Sequence, residues 1–97
     1  MLRIGLLGAP TVERDGCPLR FDTRKAVALL AFLATARTAQ SRERIAALLW
    51  PESDEARARS SLRRTLSVAA SATGPSLQIS RATVSLDESS VWCDLWE

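Results

Sequence analysis

The stretch that decides how this chain reads is Ser53-Asp54-Glu55-Ala56-Arg57-Ala58-Arg59-Ser60-Ser61-Leu62-Arg63-Arg64-Thr65-Leu66. Wound as a helix at about 100° per residue, it places Ala58, Leu62, Leu66 and the following Ala69 on one stripe. Arg57, Ser60, Arg64 and Ser67 then face away from the stripe, Ser61 and Arg63 lie on its shoulders, and Arg59 sits nearer the core edge. A guanidinium can fork onto a guanine or a phosphate, and short serines let a helix backbone come close. Such a face suits the major groove of duplex DNA. The plainer reading is a solvated outer face with Asp54 and Glu55 as ionic partners. Those acids lie in the first turn, however, and the residues four positions from Arg63 and Arg64 are Arg59, Ser67, Ser60 and Val68. Charge left unpaired on one face favours a ligand.

The surroundings of this helix read outward from it. Ser53 is its expected cap, Asp54 and Glu55 suit the positive end of the helix dipole, and Gly74-Pro75 stops it after Thr73. Before it, Ser41 caps a second helix with Ile45, Leu48 and Leu49 on one face, Trp50 near its end and Pro51 as its stop. Trp50 reads as a core plug. Thr38-Ala39-Gln40 is a polar break, preceded by a helix that Asp22 or Thr23 caps and that runs to about Ala36. Its Val27, Leu29, Leu30, Phe32 and Leu33 leave little polar surface, so it must be buried on most sides. The chain opens with strands at 2–7 and 11–14, an Asp15-Gly16 turn, and a third strand over Pro18-Leu19-Arg20-Phe21. Beyond the decisive helix, 77–79 and 83–86 alternate as a hairpin with Arg81 at its tip.

Strands, three helices and a hairpin with a basic tip is the order of a winged helix-turn-helix. The expected fold class is therefore α+β: a small antiparallel N-terminal sheet, a three-helix core and a C-terminal β-hairpin wing, over residues 1–88. The third helix would enter the major groove, and the hairpin tip would lie beside the adjacent backbone. Thr23, Arg24 and Lys25 either set a helix N-terminus and two cations near a phosphate or form a capped surface turn. Ser41 and Arg42 carry the same two readings.

Composition narrows the function classes. Ninety-seven residues, 46% hydrophobic and 25% charged, suit one globular domain. The net charge of +2 hides an uneven distribution: residues 1–85 hold all 13 basic and 7 acidic side chains, while 86–97 hold four acids and no base. A basic body draws polyanions through counterion release. Histidine is absent, which removes the commonest general base, and no glycine-rich phosphate loop or metal-ligand spacing appears. An enzyme and a bound cofactor are not expected. Cys17 and Cys93 belong to no metal or disulfide pattern, which suits a reduced, cytoplasmic chain. No run approaches the roughly 18–20 apolar residues of a membrane span.

The segments LRIGLLGAPTVERDG, FDTRKAVALLAFLA, SRERIAALLWPESDEARARSSLRRTLS and LQISRATVSL together resemble the N-terminal DNA-binding domain of bacterial activators of the antibiotic-regulatory-protein (SARP) type, relatives of OmpR/PhoB-like winged helices. The likeness spans about residues 1–95 and is most specific from Arg42 to Leu66. It implies a four-stranded N-terminal sheet, with a strand unaccounted for before Phe21. It implies binding to direct repeats in double-stranded promoter DNA as side-by-side protomers, and activation through RNA polymerase. Base reading would fall to Arg57, Arg59, Arg63 and Arg64 with Ser60 and Ser61 beside them, and the polymerase-contact loop to Trp50, Pro51, Glu52 and Ser53. Two departures stand out. After Leu66 the family keeps a charged helix, whereas this chain has Ser67-Val68-Ala69-Ala70-Ser71-Ala72. Members also continue into a helical-repeat activator domain, and residues 89–97, with Trp92 and Trp96, look like the start of a linker into it. The competing function is a winged-helix protein-interaction module whose third helix docks an acidic protein surface without binding DNA.

Overall fold

Leu2 and Ile4 alternate with Arg3 and Gly5, and this two-residue period lays down strand β1 (Leu2–Gly5) with its aliphatic side chains inward. The computed structural model describes residues 1–21 and 24–96. Strand β2 (Thr11–Arg14) runs antiparallel to β1, with Val12 opposite Ile4. Asp15 and Gly16 then take positive φ values of 53° and 85°, the two-residue turn that the Asp-Gly pair announces. The third strand is shorter than expected. Pairing covers only β3 (Cys17–Pro18), because Pro18 has no N–H to donate, and the ladder ends with one bond from the Leu19 amide to the Val12 carbonyl at 2.8 Å. Phe21 turns toward the core.

The N-terminal sheet has four strands, but the fourth comes from the other end of the chain. Strand β7 (Val91–Cys93) lies parallel to β1, giving the order β3-β2-β1-β7, with Val91 opposite Leu2 and Cys93 opposite Ile4. No strand before Phe21 supplies it among the described residues. Residues 91–96, expected to begin a linker, thus extend the folded unit beyond residue 88; Val91 and Cys93 are buried. The first strand also ends sooner than residue 7. The Leu6 and Leu7 amides turn to donate to the Asp94 carboxylate at 2.8–3.0 Å.

Helix α1 (Arg24–Ala36) buries Ala26, Leu29, Leu30, Leu33 and Ala34, as its apolar composition requires. Its expected caps, Asp22 and Thr23, lie outside the described residues, as does Glu97. The polar break after α1 holds an unexpected strand, β4 (Gln40–Ser41), which pairs with β6 (Thr83–Leu86). Strand β5 (Leu77–Ile79) completes a second sheet of order β4-β6-β5. Helices α2 (Arg42–Leu49) and α3 (Glu55–Thr73) pack on each other and on α1, and strands of both sheets contribute to the shared core around Leu2, Ile4, Leu29, Leu30, Ile45, Leu62, Leu66 and Val84. The whole is a compact α+β fold of three helices and two small sheets, compatible with the winged-helix order. Its radius of gyration is 12.6 Å, as expected for one domain of this length. Cys17 is exposed and Cys93 buried, and neither forms a disulfide. No helix among the described residues is long and apolar enough to cross a membrane.

Candidate nucleic-acid interface

The junction of α2 and α3 is set by local chemistry. Ser41, in extended geometry, accepts the Arg44 amide on its Oγ at 3.1 Å and so caps α2. At the far end the Trp50 amide donates to the Ala46 carbonyl at 2.9 Å, and Pro51 follows. The cap of α3 is one residue later than expected. Asp54, at φ −69° and ψ 166°, accepts the Arg57 amide on Oδ1 at 2.8 Å, while the Ser53 amide closes the preceding turn onto the Trp50 carbonyl at 3.2 Å. A carboxylate is the stronger acceptor at the positive end of a helix, which explains why Asp54 takes the position.

Along α3 the stripe Ala58, Leu62, Leu66 and Ala69 is buried, joined by Thr65 and Thr73. The Thr73 hydroxyl is satisfied by the Ala69 carbonyl at 2.8 Å. Arg57, Ser60, Arg63, Arg64 and Ser67 are exposed and Ser61 is half-buried. Arg57, Ser60, Ser61 and Arg64 share one shallow depression with Ser53 and Ala56. Arg59 is exposed too, but borders a different cleft, between α2 and α3, beside Glu43, Glu55 and Trp50. The arginines expected to act together are therefore divided. Arg57 meets Asp54 at 3.8 Å, both side chains largely in water, a pairing of little energetic weight. Arg59, Arg63 and Arg64 form no ion pair among the described residues.

The remaining cations divide into engaged and open. Arg81, at the tip between β5 and β6, is exposed and forms no hydrogen bond or ion pair among the described residues. Arg24 is exposed at the start of α1. Lys25 is half-buried, donates Nζ to the Leu49 carbonyl and lies 5.6 Å from the centre of the Trp50 ring. It thereby tethers the C-terminal end of α2, a structural role the phosphate reading did not foresee. Trp50 packs against the core beneath it, as its plug reading requires, while Pro51, Glu52 and Ser53 stay exposed. Thr23 lies outside the described residues.

One cation escaped sequence reasoning. Arg14 of β2 donates Nη1 to the Ala72 carbonyl at 3.1 Å, in the last turn of α3. Its guanidinium covers Gly74, where an added Cβ would meet Nη2 at 2.7 Å. Gly74 has φ +65°, a conformation that favours glycine, whereas an added Cβ would have only to displace the end of the flexible Arg14 side chain. No local pattern links residues 58 positions apart. The tryptophans of the C-terminal segment pack on this same unit: Arg3 stacks on Trp92 at 5.1 Å, Arg37 on Trp96 at 4.7 Å, and the Trp96 Nε1–H donates to the Ala34 carbonyl at 2.8 Å.

The carboxylates with displaced acidities all serve architecture. The Leu6 and Leu7 amides hold the Asp94 carboxyl below the usual range, and the Arg37 guanidinium does the same for Glu88. Among the described residues no group of three or more His, Cys, Asp or Glu side chains could hold a metal ion. No family model matches the chain, nor does any curated protein or solved structure.

Proposed function

We propose that this chain is a sequence-specific duplex-DNA-binding module of the winged-helix type, working within a bacterial transcriptional activator. The observation that carries the reading is the outer surface of α3, where Arg63 and Arg64 stand exposed and without ionic partners among the described residues, and Arg57, Ser60 and Ser61 adjoin Arg64 in one depression. Helix α3 enters the major groove in this reading. Arg64 and Arg57 face base edges, Arg63 reaches a base or phosphate from the shoulder, and Arg81 meets the flanking backbone. Arg59, standing over the α2–α3 cleft, contributes less to base reading than the resemblance implies. Direct repeats, side-by-side protomers and RNA polymerase at residues 50–53 follow from the resemblance alone. Catalysis has no part in the proposal.

A duplex selected from a random pool tests the reading. Arg63→Ala and Arg64→Ala are each expected to weaken the selected duplex roughly tenfold or more at fixed salt while leaving the fold intact. Unchanged affinity in both variants would remove α3 from the reading role. A second reading is favoured by Val68, which is 43% exposed on the surface of α3 and shares a depression with Arg64 and Trp50. An apolar residue beside arginine also suits a protein partner. A folded wild-type chain that retains no duplex even at low salt would select that reading.

A further inference from the structure

The sequence offers Arg42 as a phosphate contact or as part of a capped surface turn, and in the structure its guanidinium bonds the hairpin tip. Its Nε donates to the Ser80 carbonyl at 3.0 Å, and its backbone amide donates to the Ala82 carbonyl at 3.0 Å. These two carbonyls bracket Arg81. The turn is also closed upon itself: the Ser80 amide donates to the Thr83 carbonyl at 2.8 Å, and the Thr83 amide to Ser80 Oγ at 2.9 Å. Ser41, the cap of α2, stands opposite Thr83 in the β4–β6 ladder. The first residue of α2 therefore grips the hairpin tip from both sides of the only residue there that bears a charge.

Three exposed turn residues held only by their own strands would lose conformational freedom on docking, and that loss weakens binding. A clamp already in place in the free protein avoids that loss. It also ties Arg81, through α2, to the helix that α2 packs against. We infer that Arg42 is a positioning residue, which holds the hairpin tip against the start of α2 so that Arg81 meets a backbone phosphate of duplex DNA in a preset place. The inference rests on the DNA-binding reading above.

The geometry supplies a discriminating variant. The side-chain amide nitrogen of glutamine is the same number of bonds from the backbone as Nε of arginine, so Arg42→Gln keeps the donor to Ser80 and removes the charge. Binding of the selected duplex by the full chain is measured across a salt series for Arg42→Ala, Arg42→Gln, Arg81→Ala and Arg42→Ala/Arg81→Ala. Amide hydrogen exchange is followed in the free proteins. Arg81→Ala should weaken binding roughly tenfold, as for one charge-assisted contact, and should lower the salt slope by about 0.9. Arg42→Ala should lose a similar factor, whereas Arg42→Gln should stay within about twofold of wild type. In the Arg81→Ala background, Arg42→Ala should add no loss and leave the slope unchanged. Exchange of the Ser80 and Thr83 amides should accelerate in Arg42→Ala, with the Leu62 and Leu66 amides unaffected.

Additive losses, or an Arg42→Gln loss equal to that of Arg42→Ala, would make Arg42 a direct phosphate ligand and overturn the proposal. Unchanged exchange at Ser80 and Thr83 would show that no clamp exists and would overturn it as well. If the wild-type chain retains no duplex, the DNA-binding reading and the assigned anion both fall. Accelerated exchange in Arg42→Ala would then still uphold the clamp itself.

Discussion

At the level of single residues, two cations expected to face a ligand turn out to meet backbone carbonyls instead. Lys25 donates to the Leu49 carbonyl and the Arg42 side chain to that of Ser80, while Arg14, for which the sequence raised no such expectation, donates to that of Ala72. Carbonyls at helix ends and turns have no partner within their own element, and a long basic side chain from elsewhere is well suited to meet them. Sequence separates such residues poorly from open ones, because both are basic and both lie in polar stretches. Partnering of carboxylates is easier to read, and the exposed state of Arg63 and Arg64 follows from their neighbours on the helix. The cap of α3 gives a prediction at this scale. Asp54→Ala should lower stability by about 1 kcal/mol in chemical denaturation, while Ser53→Ala should change it by much less. Equal effects would return the cap to Ser53.

At the level of elements, the helices and the hairpin strands β2, β5 and β6 were legible, whereas β4 and β7, which pair only across long stretches of sequence, were not. The stripe of α3, the apolar wall of α1 and the stop after Thr73 depend on periodicity and on glycine and proline, which a sequence displays directly. Strand β4 has only two residues, and its partner lies more than 40 positions away in β6, so nothing local marks it. Strand β7 has the same difficulty, compounded by its acidic, tryptophan-bearing neighbourhood, which resembles a linker in composition. Its position makes Asp94 a link between the two ends of the chain. The amides of Leu6 and Leu7 hold that carboxyl below the ordinary aspartate value near 3.9. Because the folded value is depressed, the stabilisation is present above the unfolded value and is lost as pH falls through the folded one. Asp94→Asn should therefore be less stable than wild type at neutral pH and show a shallower loss of stability as pH drops from about 5 toward 2. Parallel acid-unfolding curves for the two proteins would assign the acid limb to other carboxylates.

At the level of the whole molecule, the fold joins its own ends: β7 lies along β1, Trp96 reaches α1 through the Ala34 carbonyl, and Arg14 holds the last turn of α3. The surface that could meet a ligand is thus carried by a unit whose N- and C-terminal segments depend on one another. The two thiols give that dependence a chemical clock. Cys17 stands in solvent on β3, and Cys93 is buried on β7 against the sheet. An alkylating reagent should modify Cys17 promptly and reach Cys93 only when β7 leaves β1. If opening there requires global unfolding at about 5 kcal/mol, the second modification should be slower by a factor of roughly 10³ or more. Similar rates at both cysteines would mean that the C-terminal strand detaches while the rest of the fold persists. The interval between the labelling of the two sulfur atoms thus separates a molecule that opens as one piece from one that can release its last strand alone.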